Sequence, residues 1–291
     1  MNILITGATG FTGSYIVPLL VNQGWNVTCF VRETSNLDYL PRDSVKIVYG
    51  DLNDPQSFDE ALEDHEVLIN VASLGFGHAP IIVKKAVQSG VKRAIFFSTT
   101  SIYTTINPES KSVRLKAESL IQDSRLEFSI IRPTMIYGSP RDRNICKFIN
   151  FIRLSPIFPV FGSGEYKLQP VFVEDLAEAV VKILNNKNTI GKAYNLSGET
   201  VLSLNELVEV ISRKLQKTTL DVHLPPRPFV LFLSLLEKIS ISFPISSEQI
   251  QRFNEDKDFS HQKAKDDFSY SPRPFSAGLD IELKKMGLIN D

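Results

Sequence analysis

Hydrophobic residues in the first half of the chain follow two alternating patterns. Short runs that are apolar almost throughout predict β-strands over residues 2–6, 26–31, 45–49, 67–71, 93–98 and 128–132. Between them, apolar residues recur with helical spacing and predict helices over residues 14–23, 55–62, 80–89 and 111–123. Strands without a polar face are typical of a parallel sheet that helices cover on both sides. We therefore predict an α/β fold built on a doubly wound parallel sheet.

The regular alternation stops near residue 134, where proline and glycine begin to interrupt the apolar segments. A helix over residues 174–184 and a strand over residues 193–196 return to the α/β pattern. The remainder, from Ser203, is mostly helical and includes a predicted helix over residues 231–239. We predict a dinucleotide-binding domain of residues 1–133, to which 173–197 return, and a smaller, mainly helical substrate domain of residues 134–172 and 198–291.

Composition excludes several classes of protein. With 43% hydrophobic and 22% charged residues, the chain has the profile of a folded globular protein. Its 32 basic and 33 acidic residues leave no excess of positive charge, so we expect no nucleic-acid partner. Cys29 and Cys146 are too few for a disulfide framework and are expected to be reduced and buried. A strand pattern that begins at Asn2, and the absence of a long apolar segment, predict a cytoplasmic protein with no membrane partner.

A glycine-rich segment follows the first predicted strand and opens the first predicted helix. In this context the first glycine makes a tight turn, the second lets a pyrophosphate approach the backbone, and the third lets the helix lie close to the sheet. The helix N-terminus then offers N–H groups and a positive dipole to the phosphates. The alternative is a glycine-rich turn without a ligand. The predicted cofactor-binding residues here are Gly7, Thr9, Gly10, Phe11, Thr12 and Gly13.

The end of the second predicted strand distinguishes the two nicotinamide dinucleotides. An acidic residue there binds the ribose hydroxyls of NAD, whereas a basic one accommodates the 2′-phosphate of NADP. Arg32 comes first and Glu33 second, which favours NADP(H), with NAD(H) as the second choice. Asp51 and Leu52 follow the third strand and are predicted to contact the cofactor, although Asp51 is also suited to cap the turn that follows it.

Several further segments resemble the short-chain dehydrogenase/reductase superfamily, in particular its extended and atypical epimerase/dehydratase-like branch. They are Gly50-Asp51-Leu52, Asn70-Val71-Ala72, Ser98-Thr99-Thr100-Ser101-Ile102-Tyr103, Arg132-Pro133, Ile136-Tyr137-Gly138, Val173-Glu174-Asp175-Leu176-Ala177 and Asn195-Leu196-Ser197-Gly198, together with the glycine motif. The resemblance covers nearly the whole chain. It implies a Rossmann core, a C-terminal substrate domain, a nicotinamide cofactor, and cofactor contacts from Ala72 and Pro133.

The resemblance also implies a catalytic set. A Ser or Thr after the fifth strand orients the reacting oxygen, and Thr99 matches it. On the next helix a Tyr exchanges the proton, and a Lys four residues later holds the nicotinamide ribose. Lys116 matches the Lys, but Ser112 stands where the Tyr is expected. A serine hydroxyl does not titrate near neutral pH and cannot replace a phenol unaided as a general acid or base.

Three alternatives follow from this departure. Another residue can supply the proton, with Tyr103, Tyr137 and His78 as candidates. Lys116 itself can serve if its pKa is lowered by burial. Finally, the site can bind a cofactor without chemistry.

The predicted substrate contacts are Tyr137 and Arg227. The arginine that binds pyrophosphate in the family is missing before Val173, and Arg227 can replace it, with Arg141 and Arg143 as further candidates. Twelve of the 19 phenylalanines lie between residues 148 and 275, where most are expected in the core and some in an apolar cleft or subunit contact. No metal site is expected.

The predicted function is that of an NADP(H)-dependent oxidoreductase or epimerase acting at a carbonyl or secondary alcohol of a small molecule or nucleotide sugar. The alternative is a non-catalytic NAD(P)H-binding regulator or assembly subunit. The expected partner is a small-molecule substrate, and the resemblance suggests a homodimer.

Overall fold

A seven-stranded parallel sheet forms the centre of the protein. The computed structural model describes residues 1–105, 109–225, 227–228 and 255–290. The seven strands are β1 (Asn2–Thr6), β2 (Asn26–Val31), β3 (Lys46–Tyr49), β4 (Val67–Asn70), β5 (Arg93–Phe97), β6 (Glu127–Pro133) and β11 (Lys192–Leu196). In spatial order the sheet runs β11-β6-β5-β4-β1-β2-β3, and each neighbouring pair is parallel. This order confirms the predicted doubly wound α/β fold.

Helices cover both faces of this sheet. The described helices are α1 (Gly13–Asn22), α2 (Pro55–Leu62), α3 (Ala79–Gln88), α4 (Glu109–Gln122), α5 (Ile145–Leu154), α6 (Val173–Leu184), α7 (Leu204–Lys214), α8 (Gln262–Phe268) and α9 (Phe275–Lys285). Residues of α1 and α6 pack on one face, and residues of α2, α3 and α4 pack on the other. Along β1, Ile3 and Ile5 join the first of these clusters, whereas Leu4 joins the second. Both faces are therefore buried, which is why the strand is apolar at successive positions.

The second lobe combines helices with three short two-stranded sheets. The six strands are β7 (Ile136–Tyr137), β8 (Ile157–Phe161), β9 (Lys167–Leu168), β10 (Val171–Phe172), β12 (Leu202–Ser203) and β13 (Leu220–Leu224). β7 pairs with β10 and β8 with β13 in parallel, and β9 pairs with β12 antiparallel. A third hydrophobic cluster holds these pieces together and takes residues from α5, α7 and α9.

The last described segment contacts both parts of the molecule. Ala264 and Phe268 of α8 and the following Tyr270 belong to the cluster on the sheet, whereas Phe275 and Leu279 of α9 belong to the cluster of the second lobe. Residues 255–290 thus tie the two lobes together. The sequence placed this whole segment in the substrate domain, and the proposed domain boundaries stay a prediction.

The predicted elements of the sheet agree with the structure to within about two residues at their ends. The predicted helix over residues 231–239 lies outside the described residues. Both cysteines are free and buried, as expected, and burial raises the pKa of each thiol to about 12. Within the part of the chain that the structure describes, no helix is long and apolar enough to cross a membrane.

Candidate functional site

The glycine-rich segment forms a tight cradle between β1 and α1. Gly7 has a φ of +70°, and a Cβ added there would lie 2.7 Å from the backbone nitrogen of Ala72. A Cβ on Gly13 would lie 2.2 Å from the carbonyl oxygen of Gly7, so α1 can approach the loop only without a side chain at this position. The amide of Gly10 donates to the Gly7 carbonyl at 3.0 Å and closes the turn. These contacts fit the three glycine roles expected of a dinucleotide-binding loop.

Polar groups at the ends of β1 and β4 fix the floor of this cradle. The Thr6 hydroxyl donates to Asn70 Oδ1 at 2.8 Å, and Asn70 Nδ2 donates to the Ala72 carbonyl at 2.9 Å. Thr6 and Asn70 are both buried, so their hydrogen bonds satisfy groups that water does not reach. The chain after β4, including Ala72, is therefore held directly beside Gly7.

Charged residues gather beside the ends of β2 and β3. Arg32 follows β2 and is exposed, and Asp51 follows β3. The backbone N–H of Asn53, which donates to Asp51 at 2.8 Å, lowers the pKa of the Asp51 carboxyl, and the charges of Arg32 and His78 lower it further. Asp51 therefore caps the turn, as one reading of the sequence expected, and also lies in the field of Arg32. The next residue, Leu52, is partly buried against the core.

A large cavity opens between the glycine loop and the second lobe. Its volume is about 1170 Å³. The described lining residues come from the glycine loop, the turn after β5, the segment around β7 and the C-terminal segment; they are Thr9, Gly10, Phe11, Thr99, Thr100, Ser101, Tyr103, Thr104, Thr105, Thr134, Met135, Ile136, Arg141, Arg143, Asn144, Tyr166, Glu255, Asp256, Lys257 and Phe259. The structure thus brings predicted cofactor residues and two predicted catalytic residues, Thr99 and Tyr103, to one cavity.

The side chain of Tyr103 is held by two hydrogen bonds and one aromatic contact. Arg132 Nη1 donates to the phenol oxygen at 2.8 Å, and the phenol donates to Asn195 Oδ1 at 3.2 Å. The ring packs against Phe259, with centroids 5.3 Å apart. Thr99 lies at the start of the same turn, where its hydroxyl accepts from the backbone N–H of Ser101 at 3.2 Å. A phenol and a hydroxyl therefore face one cavity from a single turn of chain.

The sequence did not single out the groups that hold Tyr103. Arg132 lies on β6 and Asn195 lies on the neighbouring strand β11. The two residues are paired directly across these strands. Both belong to segments that carry the family resemblance, Arg132-Pro133 and Asn195-Leu196-Ser197-Gly198. The signal was thus present, but only the pairing of β6 with β11 shows that the two residues meet at one phenol.

Helix α4 departs from the catalytic pattern implied by the resemblance. Lys116 and Ser112 are exposed, and neither is among the described residues that line the cavity. Ala117, Glu118 and Ile121 form the buried face of the helix instead. The predicted role of Lys116 in holding the nicotinamide ribose stays a prediction. The guanidinium of Arg114 lies beside the turn after β4, since a Cβ built on Gly75 would be 2.9 Å from its Nη2.

Two other predicted residues, Tyr137 and His78, are not among the described residues that line the cavity. Tyr137 is fully buried, and its hydroxyl donates to the carbonyl of Phe275 at 3.2 Å; its contact with a substrate stays a prediction. Burial also raises the pKa of its phenol far above the ordinary value. His78 lies next to α3, in the field of Asp51, and is not among the described residues that line the cavity.

The remaining predicted residues lie at the ends of strands and helices, at the surface or beside the glycine loop. Pro133 ends β6, where its carbonyl accepts from the Thr100 hydroxyl at 3.2 Å, and Thr12 is buried just before α1. Arg227 is exposed and is not among the described lining residues. Arg141, considered for a substrate pyrophosphate, instead reaches the glycine loop, where it donates to the Thr9 carbonyl at 3.1 Å.

The phenylalanines of the second half mostly serve the core. Of the eight that the structure describes among residues 148–275, one, Phe259, lines the cavity. Phe158, Phe172 and Phe275 are buried in the cluster of the second lobe. The other four, at positions 229, 232, 243 and 253, lie outside the described residues. Within the described residues, no group of three or more His, Cys, Asp or Glu side chains is placed to hold a metal ion.

Comparison with known proteins identifies the family. A model described as NAD(P)H-binding matches residues 7–187, a range that begins at the first glycine of the loop and ends just after α6. The chain belongs to this NAD(P)H-binding family. The resemblance to the short-chain dehydrogenase/reductase superfamily is confirmed with it. The family assignment gives a nicotinamide dinucleotide as the ligand class and leaves open the choice between NAD and NADP.

Proteins that are similar to this chain differ in what their names describe. The chain is 28% identical over 272 residues to "NADH dehydrogenase [ubiquinone] 1 alpha subcomplex subunit 9, mitochondrial" of Dictyostelium discoideum, covering 87% of this chain and 75% of that one. It is 25% identical over 278 residues to UDP-glucose 4-epimerase of Vibrio cholerae, covering 82% and 84%. The structure of UDP-glucose 4-epimerase from Thermotoga maritima, solved with UDP-glucose, superposes with a TM-score of 0.78 at 17% identity over 99% of both chains, which shows the shared fold.

Proposed function

We propose that this protein is an NADP(H)-dependent oxidoreductase or epimerase acting at a carbonyl or secondary alcohol of a small molecule or nucleotide sugar. The observation that carries the proposal is the shared cavity: Tyr103 and Thr99 line the same space as Gly10 and Phe11 of the dinucleotide loop. When bound, the nicotinamide supplies or accepts a hydride at the substrate carbon. The cavity, at about 1170 Å³, leaves room for a substrate beside it.

Tyr103 is the proposed acid and base. In the direction of reduction, its hydroxyl gives a proton to the substrate oxygen while the adjoining carbon receives the hydride, and in oxidation the proton returns. Arg132 donates to the phenol oxygen at 2.8 Å and fixes its position. Thr99 donates a second hydrogen bond to the same substrate oxygen and orients it. Because Lys116 and His78 do not line the cavity, neither is given a part in this step.

The test is turnover of NADPH with a panel of aldehydes, ketones and keto-sugars, followed by the absorbance of the reduced nicotinamide. Loss of one positioned proton donor typically lowers the rate 10²- to 10⁴-fold, so we expect Tyr103→Phe to lower kcat by about this factor. NADPH affinity should change little, because the phenol contacts the substrate. Lys116→Met, on the exposed face of α4, is expected to keep its turnover. Equal activity of Tyr103→Phe and the unaltered protein would exclude Tyr103 as the proton donor.

The proposed choice of NADP(H) rests on Arg32. Its guanidinium follows β2, is exposed, and lies close enough to Asp51 to lower the pKa of that carboxyl. A 2′-phosphate bound here would gain a charge-assisted hydrogen bond. We expect Arg32→Ala to weaken NADPH binding by about 10-fold and to leave NADH binding unchanged. Glu33→Gln, one residue further, is the matched control, and an unchanged ratio of the two affinities in Arg32→Ala would refute the assignment.

The second candidate is a non-catalytic NAD(P)H-binding regulator or assembly subunit. It is favoured by α4, on which Ser112 replaces the expected Tyr and Lys116 is exposed. The relative from Dictyostelium, which is named as a subunit of a larger complex, points in the same direction. This candidate predicts NADPH binding and thermal stabilisation by NADPH, with no turnover of any member of the substrate panel.

Three further expectations complete the proposal. The partner is a small-molecule substrate, which the panel tests directly. The protein is a homodimer, for which light scattering should give about twice the chain mass of 32.7 kDa. The location is the cytoplasm, which fractionation of cells tests against the mitochondrial location in the name of the Dictyostelium relative.

A further inference from the structure

The positively charged side chain of Arg141 extends from the second lobe and contacts the dinucleotide loop. It lies between β7 and α5, where its backbone N–H donates to the Ser139 hydroxyl at 3.1 Å. Its guanidinium donates from Nη2 to the Thr9 carbonyl at 3.1 Å and from Nη1 to the Ser14 hydroxyl at 2.9 Å. Ser14 in turn donates to the Phe11 carbonyl at 2.9 Å. The guanidinium is therefore hydrogen-bonded to both sides of the Gly10 turn.

A stacking contact fixes the plane of this guanidinium. Its carbon lies 3.6 Å from the centre of the Tyr39 ring, in the segment that follows β2. Stacking on an aromatic face leaves the N–H groups at the edge of a guanidinium free to point at other partners. Within the described residues, the hydrogen bonds to Thr9 and Ser14 use two of the five N–H groups of Arg141. The others are available to a ligand.

The position of Arg141 points to an anion. The first turn of α1 contains no acidic residue, and its N–H groups and dipole already favour negative charge at the loop. Arg141 lines the large cavity together with Thr9, Gly10 and Phe11. We propose that Arg141 is a cofactor-binding residue that contacts the diphosphate of the bound dinucleotide and so fastens the second lobe to the glycine loop. The inference rests on dinucleotide binding and is independent of catalysis.

We assign the diphosphate, rather than the 2′-phosphate, to Arg141 because the groups around its guanidinium belong to the glycine loop. Its two hydrogen bonds are to Thr9 and Ser14, on either side of the loop that would cradle the diphosphate. Arg32, the residue proposed for the 2′-phosphate, follows β2 and is not among the described residues that line the cavity with Arg141. Two arginines on two lobes are thus assigned to two different phosphates.

The experiment is equilibrium titration of the full chain and of Arg141→Met with NADPH, NADH and ADP. ADP carries the diphosphate but neither the 2′-phosphate nor the nicotinamide. We expect Arg141→Met to weaken all three by a similar factor of about 10 to 100. The dependence of affinity on salt concentration should also become less steep, which loss of a merely structural contact would not produce.

Two further variants separate this role from misfolding. Arg141→Lys keeps the charge but loses the planar fork and the stacking, so we expect it to fold normally and to show an intermediate loss. Arg153→Met, in the last turn of α5 and outside the described cavity lining, is the matched control and should bind all three ligands normally.

The outcomes are distinct. A loss confined to NADPH would move Arg141 to the 2′-phosphate and overturn the assignment. Unchanged affinities in both Arg141 variants would also overturn it. If the unaltered chain binds none of the three nucleotides, the proposed function itself fails.

Discussion

At the scale of single residues, α9 places a fully buried carboxyl, that of Glu282, in the second lobe. Glu282 is fully buried and lies beside Asp142, which is also buried and accepts from the backbone N–H groups of Asn144 and Cys146. Burial raises the pKa of Glu282 to about 10, and the negative charge of Asp142 adds to the effect. The backbone of Gly138 and the charge of Lys285 oppose it. Glu282 is therefore protonated at neutral pH.

This protonation gives stability a definite dependence on pH. The folded-state pKa lies above the ordinary value of 4.5, so the native protein keeps a proton that the unfolded chain releases. The contribution of Glu282 to the free energy of unfolding is fully present below pH 4.5 and is lost progressively as the pH rises towards about 10. Between pH 4.5 and 7 the loss amounts to roughly 3 kcal/mol.

Glu282→Gln should remove this loss. The amide is neutral throughout this pH range and has nearly the same shape as the protonated carboxyl, so it has no proton to release on unfolding. We expect the variant to be more stable than the unaltered protein at pH 8 and to show a flatter dependence on pH between 5 and 9. Denaturant unfolding at several pH values measures both, with the exposed Glu178→Gln as the control for loss of a charge. Parallel pH profiles for Glu282→Gln and the unaltered protein would contradict the prediction.

At the scale of elements, a partly buried ion pair joins α4 to β6. Arg132 of β6 donates from Nε to both carboxylate oxygens of Glu118, at 3.0 and 3.1 Å, and from Nη2 at 2.5 Å. The side chains are only 16% and 5% exposed. The same guanidinium holds Tyr103, so the packing of α4 and the position of the proposed proton donor share one residue.

Removing one partner of this pair should cost more than removing both. Arg132→Met leaves Glu118 buried without its counter-charge, which we expect to lower the free energy of unfolding by about 3 kcal/mol. The double substitution Arg132→Met with Glu118→Met buries apolar groups of similar length and should recover much of that loss. Urea unfolding of the single and double variants measures the difference. Equal losses in the two would show that the pair does not control the packing of α4.

The sequence placed α4 correctly, while the face that it assigned to the cofactor stays a prediction. Helical spacing identifies a helix, and the match of Lys116 to the family motif suggested which residues face the cofactor. The buried face is set by Ala117, Glu118 and Ile121, which pack on the sheet, and this leaves Lys116 exposed. Which face a helix turns inward depends on its partners, and local sequence does not contain them.

At the scale of the whole molecule, the C-terminal segment joins two hydrophobic clusters into one cooperative unit. Tyr270 is buried against the sheet and Phe275 is buried in the second lobe, five residues apart. Between them, Arg273 pairs with the buried Asp175 of α6 at 2.7 Å. Neither cluster can open fully without disturbing this stretch of chain.

We therefore expect a single thermal transition. Trp25 is the only tryptophan and packs against the cluster of the sheet, so its fluorescence reports the first lobe, while far-ultraviolet circular dichroism reports helices of both lobes. The two curves should coincide, and NADPH at 100 times its Kd should raise the Tm of both by several degrees, because it adds about 2.7 kcal/mol to the native state. Transitions at different temperatures would show that the lobes unfold separately.

The sequence by itself determined the sheet, the helices on its two faces and the dinucleotide loop. These depend on local patterns, since apolar runs, helical spacing and a glycine triplet act within a few residues of one another. Only the tertiary structure decided which distant side chains meet. It buried Tyr137, placed Arg132 and Asn195 at the phenol of Tyr103, and brought Arg141 from the second lobe to Thr9. Such contacts join residues up to 132 positions apart, so they depend on the packing of whole elements, which no local pattern contains.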